Sequence, residues 1–255
     1  SGSAEVYITA LAADVNRILS LSAITAHYTG FPNRTDTTLT WVSGALGATR
    51  TLTISGTNFS YYVNGEQYTT AVSLSKQIPD VTGFYVFWID IVANTPTLET
   101  QIGSPGFDKC LVATVYWNTT TDAGILADER HWMGRDQWMH EYLHETVGAR
   151  YATGLAGTFA ADGTFSLDPG EMYDEDMEIE ITPAKTACDR LYKDGAATWK
   201  WDAGATVLPK LVTNQLQYNN GTALAYVGGV SRYCAIWIFA TNDIFLIIIS
   251  THFIY

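Results

Sequence analysis

Apolar and polar residues alternate over short runs along most of this chain, the pattern of half-buried β-strands. Leu39-Thr40-Trp41-Val42 and Thr51-Leu52-Thr53-Ile54 read this way. Phe59-Ser60-Tyr61-Tyr62-Val63 runs into Asn64-Gly65, the dipeptide of a type I′ hairpin, and Gln67-Tyr68-Thr69-Thr70 is its return strand. Phe84 to Ile91 and Cys110 to Trp117 are apolar without alternation and of strand length, which predicts central strands buried on both faces. Met177, Ile179 and Ile181 alternate with Glu178 and Glu180, a half-buried strand. Tyr233 to Ile249 reads as two buried strands broken at Thr241-Asn242-Asp243.

Two segments depart from this rhythm. Gln137 to Val147 holds no Pro or Gly, and Met139, Leu143 and Val147 form an i, i+4 stripe with Trp138 and Tyr142 alongside. Asp136 suits the N-cap and Gly148 the left-handed C-cap. Ile8, Leu11, Val15 and Ile18 follow a 3-4-3 spacing, the seam of a coiled coil over about one and a half heptads. So short a stripe is not stable alone in water, so it needs identical partners or a body to lie against. The expected fold is mainly β: two antiparallel β-sandwich-like domains joined by one helix, after a short N-terminal coiled-coil helix. The boundaries are 1–24 for the end of a stalk, 25–127 for a first β domain, 128–151 for the helical connector and 152–255 for a β-sandwich head.

Composition narrows the partners. Hydrophobic residues make up 47% and charged residues 16% of the 255, so the surface relies on Thr, Ser, Asn, Gly and aromatics. A net charge of -12 disfavours nucleic acid and anionic membrane surfaces. No apolar run reaches the ~20 residues of a spanning helix, so no membrane insertion is expected. Cys110, Cys188 and Cys234 are odd in number, widely spaced and set among apolar neighbours, which predicts buried free thiols.

One motif competes with the structural reading of the helix. His140-Glu141-Tyr142-Leu143-His144 spells H-E-x-x-H, in which two imidazoles on one helix face grip Zn²⁺ and the Glu polarises its water. No third His or Glu follows at metzincin spacing: three residues past His144 stands Val147, the glycine falls one position late, and the flanks are strands. Glu171, Glu175 or Glu178 would have to serve from a distance. The favoured reading gives His140 and His144 a packing role, with no metal and no cofactor. The acidic run from Asp168 to Glu180 lacks EF-hand spacing and reads as a solvated turn and strand face. No P-loop, dinucleotide fingerprint or nucleophile elbow is present, and no catalytic residue is assigned.

Candidate ligand-binding residues cluster near turns of the C-terminal block. Trp199, Trp201, Tyr218 and Tyr226 offer ring faces that stack on sugars, and Asn219, Asn220, Asn242 and Asp243 offer hydrogen bonds beside them.

The central stretch carries a resemblance. Ala127-Asp128-Glu129-Arg130-His131, followed by a helix closing in Leu143-His144-Glu145-Thr146-Val147-Gly148-Ala149-Arg150-Tyr151, resembles phage tail-fibre and baseplate-type receptor-binding proteins. There an E-R-H element precedes a helix ending in a pattern like L-H-x-T-x-G-x-R-[YF]. The hairpin, the strands Phe84 to Ile91 and Leu111 to Tyr116, Asp174-Glu175-Asp176, and Phe239 to Ile244 are similar to the same family, so the likeness spans most of 40–250. Phage-derived trimeric fibre adhesins of predatory bacteria also look similar. Glu141 lies outside the family pattern, which points to a chance zinc motif. The resemblance implies a homotrimeric fibre tip, extracellular on a virion tail or a bacterial surface. It would bind a surface glycan or another envelope receptor, and the trimer seam would use Ile8, Leu11, Val15, Ile18, Met139, Leu143 and Val147. A zinc-dependent or polysaccharide hydrolase and a purely structural tip are the alternatives.

Overall fold

The computed structural model describes residues 28–42, 50–93, 95–103, 106–134, 137–182, 184–193, 199–207, 211–212, 215–220, 222, 224–227, 233–241 and 244–254. The expected stalk residues Ile8, Leu11, Val15 and Ile18 and the expected cap Asp136 lie outside them. The described chain is mainly β, with several antiparallel sheets and one α-helix among the described residues.

A 3₁₀ turn at Arg34–Asp36 leads into β1 (Thr37–Val42), β2 (Thr51–Gly56), β3 (Phe59–Val63), β4 (Glu66–Thr70) and β5 (Leu74–Gln77). Then come β6 (Gly83–Val92), β7 (Thr95–Ile102), β8 (Cys110–Asn118) and β9 (Ala123–Asp128). Helix α1 (Gln137–Thr146) precedes β10 (Ala149–Gly154), β11 (Gly157–Phe159), β12 (Phe165–Leu167), β13 (Gly170–Asp174) and β14 (Met177–Ile181). The remaining strands are β15 (Cys188–Lys193), β16 (Trp199–Ala205), β17 (Leu211–Val212), β18 (Gln215–Asn219), β19 (Leu224–Tyr226), β20 (Tyr233–Thr241) and β21 (Ile244–Ile254).

Two compact units divide the chain. The first holds the chain up to Pro79, Phe84–Val115 and Asp128–Gly148; the second holds Asp80–Gly83, Tyr116–Ala127 and Ala149–Tyr255. Helix α1 therefore groups with the first unit and β10 with the second.

In the first unit, β2 sits between β1 and β5 and buries Leu52 and Ile54 while its threonines face outward. Asn64 and Gly65 both have positive φ, 51° and 83°, and Val63 pairs with Glu66, the geometry expected of a two-residue I′ turn. The turn is also tied from outside. The N–H of Gly65 donates to the carbonyl of Tyr28 at 2.7 Å, and that of Asn64 donates to Thr29 Oγ1 at 3.0 Å. Strands β6 and β8, which lie mostly in this unit, are the two interior strands of their four-stranded sheet. Tyr85, Val86 and Phe87 are buried in succession, as is every residue from Cys110 to Val115, so neither face of these strands meets water.

In the second unit, Phe165, Leu167, Met177, Ile179, Ile181 and Cys188 form a core against which Leu155, Met172 and Ala205 pack. Glu178 and Glu180 point outward from β14, as the alternation predicts. Burial of the strand Tyr233–Thr241 differs from the expectation at the two residues described. The two expected strands form and pair antiparallel, but β20 is the terminal strand of the order β16-β15-β21-β20. Its neighbouring residues Ile238 and Phe239, which face opposite sides, are 36% and 46% exposed. An edge strand borders a sheet on one side only, so an apolar sequence does not by itself guarantee cover.

Candidate functional site

The Glu129-Arg130-His131 element is built into the first unit as a three-way clasp. Asp128, Arg130 and His131 are buried. Arg130 grips Asp128 through Nε to Oδ1 (2.7 Å) and Nη2 to Oδ2 (2.6 Å). Its Nη1 donates to the carbonyls of Thr37 (2.7 Å) and Arg34 (3.0 Å) and to the Thr37 hydroxyl. Arg34 returns a 3.1 Å bond to Asp128 Oδ2. One guanidinium thus ties the end of β9 to the 3₁₀ turn and the start of β1. Glu129 turns the other way and accepts from the Thr114 hydroxyl of β8 at 3.2 Å. It also lies 3.5 Å from His131 Nε2. The carbonyl of His131 takes the N–H of Phe31 at 2.8 Å, and its ring lies 4.4 Å from that of His140 on α1. A buried arginine whose described bonds all go to its own chain is a packing device rather than a ligand contact.

The H-E-x-x-H residues lie on this unit too. His140 is half-buried; Glu141 and His144 are exposed. Both imidazoles pack on the ring of Phe107, at centroid distances of 4.8 and 5.3 Å. Among the described residues, no set of three mutually close ligating atoms includes both His140 and His144. The helix ends as expected: Gly148 has φ 53° and its N–H returns to the carbonyl of Leu143 at 3.0 Å. None of its residues is fully buried. Leu143 and Val147 are half-buried, whereas Met139 is 50% exposed, so the i, i+4 stripe runs from outside to inside. Each four-residue step advances about 40° around a 3.6-residue helix.

In the second unit the candidate ligand residues divide between two sheets. Trp199 and Trp201 are on β16, opposite Lys193 and Leu191 of β15, and Trp201 is half-buried. Tyr218, Asn219 and Tyr226 are on the β18–β19 hairpin, with Asn220 at its turn. Asn220 Oδ1 accepts from the N–H and hydroxyl of Thr222, both at 2.9 Å, so it closes the turn. Gln217 pairs with Tyr226 and Tyr218 with Ala225, which puts the two tyrosines on opposite faces. Tyr226 is 46% exposed; Tyr218 is half-buried. The side chains of Trp199 and Asn219, and all of Asn242 and Asp243, lie outside the described residues.

The acidic run forms the outer face of β13 and β14. Glu171 pairs with Glu180 and Tyr173 with Glu178, and oxygens of the three glutamates lie within 4.8 Å of one another. That spacing suits a hard cation, and exposed acidic groups are common without one. The charges of Glu178 and Glu171 raise the Tyr173 phenol above its ordinary value, Glu178 contributing more. The cysteines behave as inert buried thiols where described: burial pushes Cys110 far up and Cys188 to about 11.

In the sequence Trp138 and Tyr142 stand only as neighbours of a stripe. In the structure they are 58% and 60% exposed, and all six residues of β10, including Tyr151, are exposed. The signal available for the first pair was their own i, i+4 spacing. No helix among the described residues is long and apolar enough to cross a membrane. No family model, curated protein or solved structure matches the chain.

Proposed function

We propose that this chain is the tip region of a homotrimeric fibre, a non-enzymatic adhesin for a bacterial surface glycan or another envelope receptor. The observation that carries the reading is regular structure that its own chain covers only in part. Helix α1 has no buried residue, and β10 is exposed at every position. Short helices and strands are not self-supporting in water, so such elements favour a chain that assembles with copies of itself. The resemblance of the central stretch points the same way, as do the expected stalk at 1–24 and a sandwich-like head.

Each head would bind weakly, and three heads per tip with many fibres per particle or cell would make attachment firm. A surface low in charge and rich in Tyr, Trp, Asn and Thr suits a neutral saccharide. Exposed Tyr226 offers a ring for stacking. The fibre would be extracellular, on a virion tail or a bacterial surface, with no cofactor. The test is a screen of the purified chain against bacterial surface polysaccharides and whole envelope fractions. Saturable retention without release of new reducing ends is expected. No retention on any fraction would leave only the structural tip, and release of reducing ends would make it a hydrolase.

A further inference from the structure

Two histidines of the first unit meet from different elements. His131 belongs to the segment after β9, and His140 to helix α1. Their ring centroids stand 4.4 Å apart, with the ring planes at 56°. Their ligating nitrogens lie within 4.8 Å of one another. His144, one turn further along the helix, is exposed and packs on Phe107.

We infer that His131 and His140 hold one divalent transition-metal ion of the Zn²⁺ type, and that this ion ties α1 to the segment after β9. The inference does not depend on the adhesin reading, because the ion is structural and takes part in no reaction. It gives His140 a partner nine residues upstream, in place of the His144 that H-E-x-x-H would choose.

The donor chemistry comes first. Imidazole suits Zn²⁺, Cu²⁺ and Ni²⁺, whereas Mg²⁺ and Ca²⁺ take oxygen. A neutral imidazole has a proton on one nitrogen and a lone pair on the other. Each ring can therefore keep a hydrogen bond on one side and ligate through the other. Spacing is the second argument. Zinc–nitrogen bonds are about 2.0–2.1 Å, so two nitrogens on one tetrahedral zinc stand about 3.4 Å apart. A modest rotation of the half-buried His140 ring covers the difference, and water completes the shell from its solvent side.

The rings are also mounted in advance. His131 is buried; its N–H donates to the carbonyl of Glu129 at 2.8 Å, and its own carbonyl accepts from Phe31 at 2.8 Å. The His140 ring meets that of Phe107 edge-on at 4.8 Å. Ligands fixed by packing before the ion arrives give a tighter site. Charge agrees with this. Glu129 Oε2 lies 3.5 Å from His131 Nε2 on a side chain only 13% exposed. A carboxylate beside a ligating imidazole raises its basicity and offsets part of the ion's charge. The guanidinium of Arg130, the residue between them, is directed to Asp128, Thr37 and Arg34. Helix α1 has ten residues and no fully buried side chain, so a metal link to a buried segment anchors what packing holds only in part.

The test is calorimetric titration of the tag-free, chelator-treated full chain with ZnCl₂, beside His131→Ala, His140→Ala, His144→Ala and Glu129→Gln. The native chain and His144→Ala are expected to bind one Zn²⁺ per chain and to unfold at a higher temperature in saturating zinc. His131→Ala and His140→Ala are expected to lose both the binding heat and the shift in midpoint. Glu129→Gln should weaken binding about 10–100-fold. A native chain that takes up no zinc saturably overturns the inference, and so does a His140→Ala chain that binds as the native one does. Loss of binding in His144→Ala also overturns it and returns the site to H-E-x-x-H. If His131→Ala does not fold, His140→Ala decides alone: lost zinc binding with the β circular dichroism intact supports the site, and native-like binding removes it.

Discussion

The carboxylate of Asp128 and the guanidinium of Arg130 face each other through two parallel hydrogen bonds, 2.7 and 2.6 Å, although the residues stand only two apart in the chain. Both are buried, and the remaining Arg130 donors described are spent on backbone and hydroxyl oxygens of residues more than ninety positions away. The pair therefore fixes a long-range junction.

Removing the arginine side chain leaves a buried carboxylate held by Arg34 and by the backbone N–H of residue 130. Arg130→Met is expected to lower stability by about 3–5 kcal/mol. Arg130→Lys should recover little, because an ammonium cannot form the two-pronged bond. Equilibrium urea unfolding checks both, and a loss below 1 kcal/mol for Arg130→Met would show that the junction is not needed.

Tyr61 is fully buried among Phe31, Phe59 and Tyr68, and its hydroxyl has no hydrogen-bond partner among the described residues. Deleting an unpaired buried hydroxyl removes a desolvation cost while keeping the ring packed. Tyr61→Phe is expected to be neutral or to stabilise by about 1 kcal/mol. A clear loss in thermal unfolding would mean the hydroxyl has a partner after all.

Stability should fall in alkali. Burial raises Cys188 from 9.0 to about 11, with Arg190 opposing the shift. An unfolded chain then ionises the thiol before the folded one does. The contribution is complete below pH 9 and is lost as pH rises through 11. Cys110 and Tyr61 are raised further, also by burial, and extend the fall upward. Urea midpoints measured between pH 8 and 11 should decline, and less so in Cys188→Ala. Equal slopes in the two chains would remove Cys188 from the account.

A ligand lying on one face of the β18–β19 hairpin can meet Tyr226 or Tyr218, not both. Tyr226 is the more exposed, so Tyr226→Ala should weaken saccharide binding about tenfold, or roughly 1.4 kcal/mol. Tyr218→Ala should leave it unchanged. Calorimetric titration with the best saccharide separates them, and the reverse order would move the site to the other face.

Much of this fold is legible from local rules. Asn64-Gly65 dictates its turn because only residues that tolerate positive φ fit there. Met177, Ile179 and Ile181 declare their inward face by a period of two. Other features depend on partners far off in the chain. Nothing near Arg130 announces that Thr37 and Arg34 complete its shell. Tyr218 and Tyr226 sit close enough in sequence to suggest one platform, and only the strand register separates them. Apolar Ile238 and Phe239 look like core residues, because a strand at a sheet edge has the same composition as one inside it. On α1 the stripe of Met139, Leu143 and Val147 reads as a single face, and the helical pitch carries it across two.

The Asn64-Gly65 turn also sets how fast this position ages. Succinimide formation at such a dipeptide requires the backbone nitrogen of the glycine to attack the asparagine side chain. Here the Gly65 N–H is held by the Tyr28 carbonyl, and both residues are locked at positive φ. The folded turn therefore keeps its nitrogen turned from the reaction. Spontaneous damage at this position is confined to the moments when the hairpin opens, and isoaspartate at residue 64 would serve as a slow chemical record of how often it does.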